Sequence, residues 1–438
     1  MAGGTWTTQN KVRPGVYMNF ASEGSLPGTV GERGTVALAL PLSWGQAGMI
    51  MTVQAGEDVQ AKLGYDWTAP QLLLIREALK RAQTLLLYRL NAGTKAKATL
   101  DKLTVTAQHG GVRGNDLAVV ISANINDPDQ LDVSTLLVGK EVDKQTASTI
   151  ESLESNAYVT FTGEGALTAT ASLPLTGGLD GTATNQDHSD FLTKLEVLDF
   201  NTVGLISDDA TLKSVYTAYI KRLRDTEGKK VQLVLSDYPA ADHEGIISVK
   251  NGVVLADGTV LTPKQTVSWT AGATAGANLN ESLTFRAYDD AVDVNGRLTH
   301  SETEAALRNG EFVFTASSNR AVVEQDVNTF RSVTPDKARH FAKNRVVRVL
   351  DGIANDMKRI FESYYIGKVN NNEDGRSLFR SQCVTYLKQL QDIGAIQNFD
   401  SKTDITVAPG NETDSILIEI QVQPVDSVEK VYMKVKVV

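Results

Sequence analysis

The sequence predicts an α+β protein of several domains, and three observations support this fold class. Helix-like and strand-like segments alternate at residues 70–90 and again at 187–236, which is typical of an α/β domain. The stretch between them consists of short Thr- and Val-rich segments separated by Gly, Asn and Asp, which favours an inserted β-sandwich or barrel. Both ends of the sequence alternate with a period of two, as half-buried strands do, and a helix-plus-strand domain precedes the second of these ends.

Composition is ordinary for a globular chain and restricts the class of function. The 438 residues suggest about three domains, and a hydrophobic fraction of 42% is sufficient for large cores. A net charge of −9 argues against a dedicated nucleic-acid binder, which would show a basic face. The single cysteine, Cys383, excludes an intramolecular disulfide, and we expect it to be a buried apolar residue.

No targeting or membrane segment is expected. The first ten residues, MAGGTWTTQN, lack the basic and apolar regions of a signal peptide. The densest apolar stretches, at 72–75 and 85–90, are far shorter than the ~18 residues of a membrane helix. A protein of this kind that works outside a cell would leave it by lysis or by an unconventional route.

The first elements can be assigned in order along the chain. Residues 11–20 alternate as a strand, and Pro14 places that strand at a sheet edge or at its own beginning. A strand at about 34–40 is closed by Pro41. A helix at 70–83 has Pro70 in its first turn, where the missing amide hydrogen is tolerated, and a buried strand follows at 84–90.

The middle of the chain combines the inserted domain with further α/β elements. We expect helices at 187–199 and 208–228, with strands at 202–206 and 230–236. The simplest organisation is one α/β domain into which the β-rich stretch is inserted at surface turns.

The last third is predicted to be mixed and then helical. We expect a hairpin turning at Asn251-Gly252, a strand-like segment at 282–290 and two strands around 317–320. Helices follow at 343–361 and 374–394, the second ended by Gly394, and residues 416–423 alternate as a strand.

The sequence contains no recognisable catalytic or cofactor motif. Five scattered histidines form no zinc pattern, and Asp242-His243-Glu244 is expected to be a solvated loop rather than a metal site. The segment 291–302 matches four positions of a calcium-binding loop but has Ala291 at the first, so we expect a turn at Asn295-Gly296. Neither a phosphate-binding loop nor a nucleophile elbow occurs, so we predict no cofactor, no metal and no enzymatic activity.

The last twelve residues, SVEKVYMKVKVV, form the least ordinary segment. Val431, Met433, Val435 and Val437 alternate with Tyr432, Lys434 and Lys436, although chain ends are usually polar and frayed. Such a strand needs a partner, and twelve extended residues span roughly 40 Å, enough to reach a neighbouring molecule.

Seven stretches distributed along the chain have a characteristic sequence: NKVRPGVYMNF, GERGTVALALPLSWG, EFVFTASSNRAVVEQDVNTFRSVT, KNRVVRVLDGIANDMKRIF, YYIGKVNNNEDGRSLF, GAIQNF and ILIEIQVQPVDSVEKVYMKVKVV. They resemble the tail sheath protein of contractile-tailed phages, Gram-positive prophages and phage-tail-like bacteriocins. The resemblance covers nearly the whole chain, is strongest in 1–50 and 310–438, and is weakest in 94–180.

The resemblance implies a structural subunit. Sheath subunits stack as hexameric rings around a tail tube and contract to drive the tube through a bacterial envelope. The implied partners are neighbouring sheath subunits, the tail tube protein, and the baseplate and tail terminator proteins, with no nucleic acid and no membrane. Assembly in the bacterial cytoplasm and release by lysis are implied as well.

On this basis we predict five regions and two interface segments. The regions are an N-terminal arm (1–20), the first part of the core (21–93), an inserted peripheral β-rich domain (94–180), the α/β domain (181–342) and a C-terminal domain (343–438) with a β arm from about 415. The interface residues are Pro14, Gly15, Val16, Tyr17, Val431, Met433, Val435 and Val437.

Two alternatives stay open. A non-contractile tail tube or another self-assembling virion protein could share assembly through donated strands, although tube proteins are usually much smaller and have no separate α/β domain. A soluble α/β enzyme is the other, and no arrangement of nucleophile and base supports it.

Overall fold

The computed structural model describes residues 30–437 and the backbone of 2–4 and 15–17. The chain divides into two units, one formed by residues 1–31 and 353–424 and the other by 32–352 and 425–438. The predicted mixed α/β fold of several domains is confirmed. Among the described residues, no helix has both the length and the apolar character needed to cross a bilayer.

A seven-stranded sheet forms the centre of the larger unit. All neighbouring strands are parallel except the edge strand Ile50–Gln54, which is antiparallel. The strand order is Glu311–Phe312, Ile246–Val249, Gln232–Ser236, Thr202–Gly204, Thr35–Leu40, Thr84–Arg89 and Ile50–Gln54. Segments that precede and follow residues 94–180 therefore build one sheet.

Helices cover both faces of this sheet, because its strands bury side chains on each side. In the strand Thr35–Leu40, Val36 and Leu38 pack into one core, and Ala37 and Ala39 into the other. The helices on the first face are Leu73–Leu79 and Pro263–Gly276, and those on the second are Asn185–Leu195 and Ala210–Lys221. The short helices of three to five residues are Gln60–Leu63, Pro70–Leu72, Val112–Asp116, Ile150–Ser152, Arg222–Thr226, Pro239–Ala241 and Arg339–Ala342.

The helix Pro263–Gly276 packs unusually close to the helix Leu73–Leu79 and the turn after it. A Cβ atom added at Gly272 would lie 2.1 Å from the carbonyl oxygen of Ala78, and one at Gly276 would lie 1.9 Å from that of Arg81. The absence of side chains at these two positions is what permits the contact.

We expect Gly272→Ala to destabilise the protein by roughly 1–3 kcal/mol, because the added methyl overpacks a contact made by backbone atoms. The direction of the change in stability is informative, because alanine in place of glycine inside a helix otherwise stabilises the helix by about 1 kcal/mol. Chemical denaturation of the monomer measures the difference. An unchanged or increased free energy of unfolding would contradict the close approach.

Residues 95–174 form a β-sandwich rather than a closed barrel. One sheet contains Lys140–Ala147, Leu131–Leu137, Leu117–Ala123 and Thr170–Pro174, and the other contains Val159–Thr162, Leu103–Gly110 and Lys95–Leu100, each in that order. Neighbouring strands are antiparallel, and alternate residues such as Val105, Val119 and Val133 fill the core between the sheets.

The sandwich shares buried residues with the α/β body. Trp44, from the body, is 1% exposed and belongs to the sandwich core, where its ring contacts that of His109 in a T-shaped arrangement at a centroid distance of 5.1 Å. Arg89, from the central sheet, is buried and donates to the carbonyl oxygens of Gly45 and Gly110, both at 2.7 Å. The inserted domain is thus tied to the body by packing as well as by the chain.

His109, where the sandwich meets the α/β body, should make the stability of the protein depend on pH. Burial lowers the pKa of His109 to about 4, and the charges of Arg89 and Lys95 add to this effect. The unfolded chain takes up a proton on this histidine near pH 6.5, whereas the folded protein does so only near pH 4, so stability falls as the pH is lowered between those values. We expect His109→Gln to weaken this dependence, measured as the difference in melting temperature between pH 7 and pH 4.5.

Burial also lowers the pKa of His188 and His243, so the His109→Gln variant keeps part of the pH dependence and only the difference between the two proteins is diagnostic. Equal pH dependence in both would mean that His109 is solvated when the protein is folded.

The predicted hairpin at Asn251-Gly252 is wrong. Ile246–Val249 lies in the central sheet, whereas Gly252–Leu255 pairs with Val260–Leu261 and Ala291–Asn295 in a separate antiparallel sheet. The buried Asn251 amide donates to the carbonyl of Phe314 at 2.7 Å and accepts from its N–H at 2.8 Å. Asn251 therefore fixes the point where the chain changes sheets.

The segment 291–302, which resembles a calcium-binding loop in sequence, forms a strand, a turn and the start of a helix. Its strand ends at Asn295, Gly296 has a φ of +85°, and Asp293 forms an ion pair with Arg297. Glu302 caps the helix His300–Arg308, which was not predicted. The turn is as expected, but the predicted strand at 282–290 is wrong, because only Ala287 forms a bridge there.

Two predicted features of the region after residue 310 are confirmed. Phe314–Ser317 and Arg320–Val323 form an antiparallel hairpin. The helices Asn344–Tyr364 and Glu373–Asp392 follow, and Gly394 has the positive φ expected after a helix end.

The smaller unit is organised around the second half of the first of these helices. Phe361, Tyr365 and Phe379 form an aromatic cluster, and the Asp356 carboxylate accepts from the Tyr386 hydroxyl at 2.9 Å. Cys383 is buried as predicted, and burial raises its pKa to about 12. Two short antiparallel sheets complete the unit, formed by Ile396–Gln397 with Gln423–Pro424 and by Ile405–Pro409 with Ile416–Ile420.

Candidate assembly interface

The end of the chain exposes a row of apolar side chains. Val431, Met433, Val435 and Val437 are 75%, 80%, 75% and 95% exposed, and residues 431–437 are not in a strand. Tyr432 is 91% exposed as well, so neither side of this segment is buried in the single chain. The predicted alternation is present in the sequence, but the described residues of the same molecule provide no sheet for it. We call residues 431–437 the terminal segment.

The terminal segment starts from a fixed point two residues earlier. The Glu429 side chain is 11% exposed and is paired with the Lys343 ammonium group. Its carboxylate also accepts from the Gln325 amide at 2.5 Å and from the Thr284 hydroxyl at 2.9 Å. Three donors from well-separated parts of the chain thus hold one carboxylate.

Electrostatics keep this carboxylate charged. Burial by itself would raise the pKa of Glu429, but the hydrogen bonds from Lys343, Gln325 and Thr284 outweigh it and lower the pKa below its usual value. The anchor is therefore fully formed at neutral pH, and it weakens only as acid protonates the carboxylate.

A groove of about 880 Å3 surrounds this anchor. Residues 426–430 form part of its wall, together with apolar and cationic side chains of the larger unit. Among these are Leu307, Val327, Phe330, Arg308, Arg331 and Arg339.

The anchor shortens the reach expected from the sequence. Since Glu429 is held, only the residues beyond it can extend toward another molecule. The nine residues from 430 to 438 span about 30 Å when extended. This is about three quarters of the roughly 40 Å predicted for twelve residues.

The N-terminal interface residues are described only in part. Gly15, Val16 and Tyr17 form a short strand whose backbone pairs in parallel with Ala2–Gly4, and Pro14 lies outside the described residues. The N-terminal interface segment therefore stays a prediction.

The hairpin of Ile405–Pro409 and Ile416–Ile420 is a sheet of only two strands within the described part of the chain. The Arg380 guanidinium donates to the Ile405 carbonyl at 3.3 Å, so the strand Ile416–Ile420 is the more open edge. Leu417 on this hairpin is 55% exposed. Two-stranded sheets are marginally stable alone and gain stability when strands are added.

The expectation of a solvated loop at Asp242-His243-Glu244 is wrong. His243 and Glu244 are buried, and the nearby carboxylate is that of Asp225, whose Oδ2 lies 3.2 Å from Nε2 of His243. The Asp242 carboxylate instead accepts from the backbone N–H groups of Arg331 and Ser332. Within residues 30–437, Asp225, His243 and Glu244 are the one such group close enough to share a metal ion.

Hydrogen bonding makes this group a poor metal site. The Gly245 N–H donates to Nδ1 of His243 at 3.0 Å, so the proton of the neutral ring is on Nε2 and points to the carboxylates. A metal ligand would need that nitrogen unprotonated, with the proton on Nδ1. Glu244 is also paired with Lys337 at 2.7 Å. We interpret the group as a closed hydrogen-bonded network.

Sequence reasoning missed the anchor. Thr284, Gln325 and Lys343 are 145, 104 and 86 positions away from Glu429. No local pattern marks such a contact. The only signal is that alternation begins at Val431 and not before, which leaves Glu429 outside the apolar row.

Comparison with known proteins shows four phage tail sheath domains along the chain. The matches are the tail sheath protein Gp18 domain III N-terminal region at 33–90, the beta-sandwich domain at 91–180, the central domain at 181–329 and the C-terminal domain at 336–438. The phage-like element PBSX protein XkdK of Bacillus subtilis is 41% identical over the full length of both chains.

Solved structures agree with these matches. The sheath tail protein from Desulfitobacterium hafniense is 57% identical, covers 96% of this chain and 99% of its own, and has a TM-score of 0.86. The one from Listeria innocua is 41% identical, with coverages of 92% and 94% and a TM-score of 0.82. A more distant likeness, in fold alone, is to the contracted helical sheath of the anti-feeding prophage, at 13% identity, coverages of 97% and 99% and a TM-score of 0.57.

Proposed function

The chain belongs to the phage tail sheath protein family, and from this premise we propose that it is the repeating subunit of a contractile sheath. Copies stack as hexameric rings around a tail tube, and contraction drives the tube through a bacterial envelope. The fold shared with a contracted helical sheath supports the contractile part of this proposal.

The exposed terminal segment is the observation that carries the proposal. Apolar side chains at every second position, without a partner among the described residues of their own chain, are suited to adding a strand to the sheet of another copy. The edge formed by the strand Ile416–Ile420 of the hairpin 405–409/416–420 is the acceptor that we propose. An edge that would promote aggregation in a monomer becomes a specific joint between subunits.

Such a joint suits a lattice that changes its spacing. The terminal segment follows the anchored Glu429 and forms no strand with the described residues of its own domain, so the domain bodies can rotate while the strand stays paired. Head-to-tail contacts of this kind form rings when the rotation between copies closes, and helical assemblies when it does not.

The remaining roles follow from the same proposal. Pro14, Gly15, Val16 and Tyr17 contribute a second joint, and the sandwich of 94–180 lies at the periphery. The tube, baseplate and terminator proteins are the other partners, and particles assemble in the cytoplasm and leave by lysis. The role is structural and involves no catalysis.

Electron microscopy of the purified protein tests this function. We expect long, hollow, ridged cylinders in the contracted form, without added metal or nucleotide, because nothing else is needed to pair the strands. Narrow, smooth tubes would instead indicate a tube protein. Isolated particles at high concentration would count against self-assembly of any kind.

A further inference from the structure

Phe285 has a conformation and an exposure that the isolated fold does not explain. It occupies the third position of a β-turn closed by the bond from the Arg286 N–H to the Leu283 carbonyl, at 2.9 Å. Its φ is +60°, in the left-handed region that glycine or asparagine usually occupies at this position. Its side chain is 66% exposed.

The turn itself is held by backbone contacts that do not need an aromatic ring. The Phe285 N–H donates to the Val323 carbonyl at 2.8 Å, and the Val323 N–H donates to the Arg286 carbonyl at 2.9 Å. The Leu283 N–H donates to the Asp326 carboxylate at 3.0 Å. Glycine would keep all of these bonds and would adopt the positive φ without strain. The turn therefore does not require the aromatic ring.

The position of the turn suggests what the ring contacts. The residue before it, Thr284, donates its hydroxyl to Glu429, the anchor of the terminal segment, and accepts from the Asp326 N–H at 3.0 Å. Phe285 is therefore next to the point from which the terminal segment leaves. A molecule that pairs with residues 431–437 is brought to the same surface.

We propose that Phe285 is an anchor residue for a second copy of this chain, the copy that also receives the terminal segment. This inference rests on the proposed function, since it takes that segment to be the joint between copies. Aromatic side chains held in a rigid setting are the usual centres of binding energy in protein interfaces. The strand then gives the connection between subunits, and the ring on the body fixes where the neighbour docks.

Substitution by glycine separates folding from docking. We expect Phe285→Gly to melt at the same or a higher temperature as a monomer, and to raise the critical concentration for polymerisation about tenfold, a usual effect of losing an interface anchor. Phe285→Tyr, which keeps the ring, should polymerise like the unchanged protein. Sedimentation of the full-length protein over a range of concentrations measures this.

Val138 offers a matched control. It has a φ of +51°, is 68% exposed and lies in a turn of the inserted sandwich. Val138→Gly relieves the same kind of backbone conformation and should leave the critical concentration unchanged. If both glycine variants weaken polymerisation equally, the effect comes from the backbone and the inference is overturned.

The inference and the proposed function fail in different ways. If Phe285→Gly polymerises like the unchanged protein while a chain ending at Lys430 does not, the segment is the joint but the ring is no anchor for another copy. That outcome would also be the result if the ring served a different protein of the particle. If both variants polymerise normally, the joint itself is wrong, and the inference fails with it.

Discussion

A chain that ends at Lys430 is expected to stay monomeric at concentrations where the full chain forms cylinders. Its unfolding free energy should change by less than about 0.5 kcal/mol, because the terminal segment is exposed and makes no strand in its own molecule. Electron microscopy measures the polymer, and thermal denaturation measures the monomer. The cut is placed after Lys430 because removing residues from Ser427 onward would also remove Glu429 and leave Lys343 without its carboxylate.

Two point substitutions serve as matched controls for the truncation. Val435→Asp places a charge in the row predicted to be buried in the neighbour, which should weaken each joint by several kcal/mol. Lys436→Glu changes the opposite side of the strand and should be far milder. Equal effects would mean that the alternation does not define the buried side, and cylinders formed by the truncated chain would disprove the joint.

Asp351→Ala is expected to destabilise the larger unit by about 3–5 kcal/mol, because it leaves a buried guanidinium without its counter-ion. The side chains of Arg224 and Asp351 are 3% and 8% exposed, and the two nitrogens of Arg224 lie 2.6 and 2.8 Å from the two carboxylate oxygens. Denaturant unfolding of the monomer measures the loss.

Two further variants show whether this loss comes from the buried charge. Replacing both partners, as Arg224→Met with Asp351→Leu, should recover most of the stability, since no charge is then buried alone. Breaking the exposed pair Arg297–Asp293 through Arg297→Ala should leave the stability nearly unchanged, because water screens this pair. Similar losses from the exposed and the buried pair would show that the Arg224 site is accessible to water.

Much of the fold could be predicted because its signals are local. The strand Thr35–Leu40, the strand Thr84–Arg89 and the hairpin around 317–320 each follow from the residues of the segment itself. The two long helices near the end could be assigned in the same way.

Other elements depend on distant contacts and could not be predicted. The helix Pro263–Gly276 has ten consecutive buried residues, 266–275, so it shows no polar face and no apolar stripe. The Asn251-Gly252 pair has the composition of a hairpin turn, but the buried Asn251 amide binds Phe314, which is 63 positions away. In both cases tertiary packing decides the local conformation.

The candidate interface likewise has a part that the local sequence predicts and a part that depends on tertiary contacts. The apolar row of the terminal segment follows from alternation alone, whereas Glu429 and Phe285 acquire their significance only from residues brought together by folding. The resemblance to sheath proteins identified the family, but it did not indicate where the terminal segment is fixed or how far it can reach.

The buried thiol of Cys383 has a practical consequence for experiments on assembly. The sequence contains no other cysteine, and burial keeps this one protonated at neutral pH and away from reagents. A cysteine introduced on the exposed terminal segment, for example by Met433→Cys, would therefore react selectively with a maleimide dye or a spin label. Pairs of such probes could report distances between neighbouring subunits before and after contraction, without removal of the native residue.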